Sequence, residues 1–172
     1  MVKSIAPLAC LVLIAAILSG CGFAGEPKPD TDAGIGGIVV RGEILVSEDV
    51  NPDQDGHPAP VRLRIYRLQS HHHFKNADFP SLHDDDERVL ATDLIFKEEM
   101  TVYPGNRIPF HRAWGPNARY LGVMAIFGTG ENAEWRALTD VSRAGGSEAV
   151  IVRLQDSSVS LWRRVDGMGS SG

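Results

Sequence analysis

Apolar and polar residues alternate with a period of two over several short segments of this chain, separated by stretches rich in Gly, Pro and Asp. Ile38, Val40, Ile44 and Val46 fall on one face of an extended segment from Ile38 to Ser47, with Arg41 and Glu43 on the other. Val61, Leu63 and Ile65 alternate in the same way with Arg62 and Arg64, after which Tyr66 and Leu68 carry the apolar pattern. The slip at Ile65-Tyr66 predicts either a β-bulge or a strand end covered on both faces. Between Ser70 and Thr92 the two-residue period disappears. Phe74, Phe79, Leu82, Val89 and Leu90 are spaced as for one or two short helical turns, with Pro80 at an early helical position and Asp84 to Glu87 exposed. Strand signals return at Leu94 to Val102, ending at Pro104-Gly105, and at Arg107 to Arg112, where Pro109 marks an edge strand. Tyr120 to Phe127 is almost continuously apolar and reads as a central strand. Ala133 to Leu138, Ala149 to Gln155 and Ser158 to Arg163 complete the set. About eight short strands, one helical insertion and no βαβ alternation predict an all-β fold, an antiparallel β-sandwich spanning residues 38–165.

The segments outside that span have a different character. Lys3, the apolar run Ile5 to Ile17 and the small residues Leu18-Ser19-Gly20 form a secretory signal over residues 1–20, too short for a membrane span of about 20 residues. Leu18-Ser19-Gly20-Cys21 matches the lipobox of bacterial lipoproteins, which implies that Cys21 becomes the acylated first residue of the mature chain. By lipoprotein sorting, Gly22 in place of Asp favours the outer membrane. Residues 22–37 hold too few apolar side chains to fold and read, with Cys21, as a tether; residues 166–172 read as a Gly/Ser tail.

The formal net charge is −5, or −6 once Lys3 leaves with the signal, which argues against a nucleic-acid partner. Cys10 leaves as well and Cys21 is lipidated, so no thiol remains for a disulfide, a zinc site or a nucleophile. His71-His72-His73 with His83 and Asp84 to Asp86 lack the spacing that turns ligands to one side, and a solvated loop is the better reading. Asn51, Asp53 and Asp55 with Gly56 resemble half of a calcium loop, but position twelve is Arg62. No metal and no cofactor is expected. Gly128-Thr129-Gly130-Glu131-Asn132-Ala133 fits a dinucleotide pattern without the helix that should follow, so it reads as a hairpin loop. No Ser lies in a nucleophile elbow, so no catalytic residue is assigned. Trp114, Trp135 and Trp162 read as packing residues and not as the walls of one pocket.

The most distinctive stretch is Asn51 to Pro60. Pro52, Pro58 and Pro60 fix φ and remove donors, and Asp55-Gly56 is a turn pair, so the loop should be stiff and exposed. Loops on a rigid β scaffold carry recognition, which nominates Asn51, Pro52, Asp53, Gln54, Asp55, Gly56 and His57 as partner-binding residues.

The lipobox, this loop, the strand with Tyr66 and Leu68, Phe74 to Phe79, Leu82 with its acidic run, Pro104-Gly105, Tyr120 to Val123 and Trp135-Arg136 occur in the order seen in the type VI secretion lipoprotein family TssJ, also called VasD or SciN. The chain is similar to that family over nearly the whole mature sequence. It departs at His57, where many relatives have Arg, and in its triple histidine. The resemblance implies a transthyretin-like sandwich lipid-anchored in the outer membrane and facing the periplasm. It also implies that the loop between the first two strands binds the periplasmic C-terminal domain of TssM, within a complex that includes TssL. The competing expectation is a periplasmic transthyretin-like hydrolase or a small-ligand-binding lipoprotein.

Overall fold

The computed structural model describes residues 37–128, 132–142 and 148–165. The expected signal peptide, Cys21, all of the tether but Gly37, the tail, residues 129–131 of the Gly128 loop and the Gly145-Gly146 turn lie outside the described residues. Strands β1 (Ile38–Val46), β4 (Arg107–Trp114), β7 (Glu148–Gln155) and β8 (Ser158–Val165) form one sheet in the order β4-β1-β7-β8. Strands β2 (Val61–Leu68), β3 (Leu94–Val102), β5 (Tyr120–Ile126) and β6 (Arg136–Asp140) form the other in the order β3-β2-β5-β6. Among the described strands the pairings are antiparallel except β1 with β7, which run parallel. Pro109 sits on β4, an edge of the first sheet, where its missing N–H breaks no ladder between two neighbours. Strand β5 is central, and Leu121 to Ala125 are buried on both of its faces.

Two apolar clusters result. The larger fills the space between the sheets with Val40, Ile44, Leu63, Val123, Val150 and Val152 among its members. Close approach there is set by Gly42, where a Cβ would lie 2.0 Å from the Val150 carbonyl oxygen and 2.3 Å from the Phe110 ring. The smaller cluster lies on the far side of the second sheet and joins Tyr66, Leu68 and Met124 to Phe74, Leu82 and Leu90. Those last three come from helices α1 (His72–Asn76), α2 (Phe79–Asp84) and α3 (Asp86–Leu90), and a 3₁₀ turn over Ala91–Asp93 leads into β3. Asp78 caps α2, accepting from the Ser81 N–H at 2.8 Å, with Pro80 in the first turn as the sequence indicates.

This second layer explains the slipped pattern in β2. Val61, Leu63 and Ile65 pack into the inter-sheet core while Tyr66 and Leu68 face the helices, so the strand end is covered on both faces. No bulge falls at Ile65-Tyr66; the register shifts instead between Arg67 and Leu68, against β3. Arg67 is itself buried, its guanidinium 4.4 Å from the Phe96 ring centroid and 5.5 Å from that of Trp114.

The acidic run is not uniformly exposed, contrary to the sequence expectation. Asp86 is buried, and its Oδ2 accepts from the Tyr66 hydroxyl at 2.9 Å and from Arg64 Nη1 at 3.2 Å. Its Oδ1 accepts from Lys97 Nζ at 2.8 Å. Arg64 further donates to the Leu82 and His83 carbonyls at the end of α2 and pairs with Glu99 at 2.6 Å. Burial, with the bond to Asp86, pushes the Tyr66 hydroxyl well above its ordinary range, so it remains a donor. The hydrogen bond to Asp86 likewise holds the Lys97 ammonium above its usual value. Once helices cover β2, Arg64 and Tyr66 need an acceptor, and Asp86 is the residue turned inward to supply it.

Candidate functional site

The loop between β1 and β2 lies at the end of the sandwich shared by the Tyr103–Asn106 turn and the β7–β8 turn, opposite the point where Ile38 begins β1. Its two halves differ. Asn51 is buried, not exposed as the loop reading requires, and adopts a left-handed φ of 50°. Its N–H donates to the Asp156 carbonyl at 2.6 Å, its Nδ2 to the Pro60 carbonyl at 2.8 Å, and its Oδ1 accepts from the Gly128 N–H at 2.8 Å. Asn51 therefore closes the loop onto its own far end at Pro60 and ties it to two other connections at this end of the domain, at Gly128 and Asp156. Pro52 is half-buried, and Asp53 to Pro58 are exposed.

The exposed half is held from within. The Asp53 Oδ1 accepts from the backbone N–H groups of Asp55 and His57, both at 2.9 Å. The Gly56 N–H donates to the Asp53 carbonyl at 3.0 Å, the Asp53 N–H to the His57 carbonyl at 2.9 Å, and Gly56 takes a φ of 81° that suits glycine. The backbone bond from His57 is the foremost reason that the Asp53 carboxyl titrates below its ordinary value; the Asp55 N–H and the nearby His57 ring add to it. Asp53 thus stays ionised in solution near neutrality, and the loop presents Gln54, Asp55 and His57 on a pre-formed turn.

One ligand atom each of Asp53, Asp55 and His57 lie within 4.8 Å of one another, a grouping that the calcium-loop comparison, with its Asn51, Asp53 and Asp55, did not single out. All three residues are exposed, and the Asp53 oxygen is already engaged by backbone donors. The other histidines do not converge. His73 Nδ1 lies 2.8 Å from Asp93, His83 Nδ1 lies 2.9 Å from Asp84, and the His71 ring packs on Tyr120 at 4.9 Å. The tryptophans are equally dispersed: Trp114 is buried beside a cavity of about 40 Å³ between β3 and β4, Trp135 packs edge-on against Phe79, and Trp162 is exposed on β8. After Gly128 the chain returns as β6, antiparallel to β5, so the dinucleotide-like pattern precedes a strand and no phosphate-binding helix.

Asn51→Ala is expected to lower stability by about 1–3 kcal/mol, because the Gly128 N–H and the Pro60 carbonyl lose their partner at a part-buried site. Substitution of exposed Gln54 should stay within about 0.5 kcal/mol. Urea denaturation of the two variants makes the comparison; equal midpoints would show that Asn51 is no latch.

The described residues define a two-sheet β-sandwich domain with a helical layer on one face and a self-ordered polar loop at one end. The sequence comparison is specific: residues 39–157 match the family model of the type VI secretion lipoproteins VasD, EvfM and TssJ, and the chain belongs to that family. No curated protein matches the chain at the level of sequence. Among solved structures it is similar to the T6SS lipoprotein TssJ1 from Pseudomonas aeruginosa, at 27% identity and a TM-score of 0.68, over 74% of this chain and 97% of that one. It is also similar to Serratia marcescens Lip, a membrane bound component of the Type VI Secretion System, at 23% identity and a TM-score of 0.60 over 76% and 99%. A third likeness, at 23% identity and a TM-score of 0.62 over 72% and 99%, is to a chain in a structure described as the T6SS protein TssM C-terminal domain from EAEC.

Proposed function

We propose that this protein is the outer-membrane lipoprotein of a type VI secretion membrane complex, acylated at Cys21, and that it holds the trans-envelope apparatus by binding the periplasmic C-terminal domain of TssM through the loop from Asn51 to His57. The observation that carries the binding role is the loop itself: Asp53 to Pro58 stand exposed on a turn ordered by the Asp53 carboxylate, at the end of the sandwich away from the start of β1. Membership of the secretion lipoprotein family supports the setting, as does the likeness to a chain in a structure described as a TssM C-terminal domain. Within this reading Pro52 and Asn51 set the loop's root, and Asp53 to His57 meet the partner. TssL belongs to the same complex in this reading. The protein acts by binding, and turnover by the purified domain would instead favour the hydrolase reading.

Anchoring has its own test. A single acyl chain binds membranes only marginally, at roughly 0.8 kcal/mol per buried CH₂, and the multiple chains of a bacterial lipoprotein make attachment stable. Cys21→Ala is expected to abolish maturation and outer-membrane fractionation. Recovery of a processed Cys21→Ala protein in the outer-membrane fraction would refute acylation at this residue.

A further inference from the structure

The two outer faces of the sandwich are unlike. The second sheet carries the helices, whereas none of the described helices packs on the outer face of the first. Register sets that bare face out in three rows across four strands. The first row is His111, Arg41, Ala149 and Arg164; the second is Pro109, Glu43, Ile151 and Trp162; the third is Arg107, Leu45, Arg153 and Ser160. Among the described residues of these rows, four arginines therefore share the face with one carboxylate, Glu43, which pairs with Arg107 at 3.4 Å. Arg41, Arg153 and Arg164 are exposed, and so is Trp162, 43% accessible with the Arg153 guanidinium 5.8 Å from its ring. This basic face belongs to a chain whose formal net charge is −5, and the loop end of the domain is acidic instead, with Glu48, Asp49, Asp53, Asp55 and Asp156.

We infer that this face lies on a phospholipid surface with anionic headgroups, so that the domain rests sideways on the membrane and presents its loop end along it. Charge complementarity selects the occupant: arginines in two rows with an exposed tryptophan between them match the headgroup layer, where indole rings settle at the polar–apolar boundary. An acidic protein would match the same side chains, and what favours the membrane is the lipid anchor, which keeps this face within reach of the headgroups. Reach allows the arrangement, since residues 22–36 can span up to about 50 Å when extended. The inference rests on the lipid-anchor reading, which brings the face to a membrane in the first place.

The test uses the full acylated chain, purified in detergent and reconstituted into vesicles of phosphatidylethanolamine and phosphatidylglycerol carrying brominated acyl chains. Trp162 quenching is the difference between the parent and Trp162→Phe, in which buried Trp114 and half-buried Trp135 remain. Quenching is expected in these vesicles, not in phosphatidylcholine vesicles, and should weaken with added salt. Each arginine near an anionic surface strengthens association about fivefold, so the double variant Arg41→Glu, Arg153→Glu should lower face-to-membrane docking at least about 25-fold. That variant should still float with the vesicles through its anchor and melt within a few degrees of the parent. An unquenched Trp162 on a chain that floats with anionic vesicles overturns the inference while leaving the anchor intact. Equal quenching on phosphatidylcholine overturns it too, and shielding of Trp162 only by an added acidic protein would assign the face to a protein partner. If mass spectrometry finds Cys21 without acyl chains, the anchor reading has failed; quenching of chain added to preformed vesicles then decides the face by itself.

Discussion

Replacing Asp53 to His57 with a Gly/Ser linker, while keeping Asn51, Pro52 and Pro60, is expected to abolish binding to the periplasmic region of TssM and to leave the melting temperature near that of the parent. The separation follows from the structure of the loop. Its fixed root is Asn51, whose side chain and N–H reach Pro60, Gly128 and Asp156. Among the described contacts its exposed half makes hydrogen bonds only within itself, so its removal takes nothing from either core. Binding should suffer because the native turn is already ordered: each side chain that must be immobilised on association otherwise costs about 0.5–1.5 kcal/mol, and a Gly/Ser linker loses both the contacts and the order. Asp53→Ala should reproduce part of the loss, since the Asp55 and His57 N–H groups lose their acceptor. The exposed pair Asp53 and Asp55 would also steer association toward a basic patch, so added salt should slow association more than it speeds dissociation. Calorimetric titration of the loop-replaced domain decides the matter. Affinity within a few-fold of the parent would place the interface elsewhere on the sandwich.

Asp86→Ala should be the most damaging single substitution in the helical layer, with a loss of about 3–5 kcal/mol against a total that is commonly about 5–15 kcal/mol. Arg64, Tyr66 and Lys97 all donate to this one carboxylate, and its removal strands the buried Tyr66 hydroxyl and takes one acceptor from each cation, although Arg64 keeps Glu99 and the α2 carbonyls and Lys97 keeps Glu87. The helices would lose their stitch to β2 and β3, and the smaller cluster around Tyr66, Phe74 and Leu90 would open. Urea denaturation followed by near-ultraviolet circular dichroism measures the effect. A midpoint within about 0.5 kcal/mol of the parent would mean that Asp86 is dispensable. The same site predicts an alkaline response. Tyr66 has a folded-state value raised above its ordinary 10.0, so its contribution is complete below that pH and is lost as pH rises toward the raised value. Tyr66→Phe should flatten the stability profile above pH 10.0.

Local pattern was enough for the strands, because a half-buried strand must alternate whatever its neighbours are. Val61 to Leu68 and Leu94 to Val102 run where the alternation places them, and Pro109 lies on an edge because a central strand needs its N–H. The composition and acidic balance of the chain, the lipobox and the order of motifs were also legible without coordinates, and the family membership they imply is what the residues from 39 to 157 show. Pairing was not legible. The parallel contact of β1 with β7 joins strands about a hundred residues apart, and alternation carries no information about which strand lies alongside or in which direction. Burial of polar residues also required the third dimension. Asp86 sits in a run of four acids that looks uniformly solvated, and it turns inward only because Arg64 and Tyr66 lie beneath the helices. Asn51 looks like one more loop residue beside Pro52, and it is buried because the Gly128 and Asp156 backbones, distant in the chain, converge on it together with Pro60 at the far end of its own loop. Residues whose role is set by their own side chain and nearest neighbours can be read in order along the chain; residues whose role is to satisfy groups brought together by folding become visible only when the sheets are stacked.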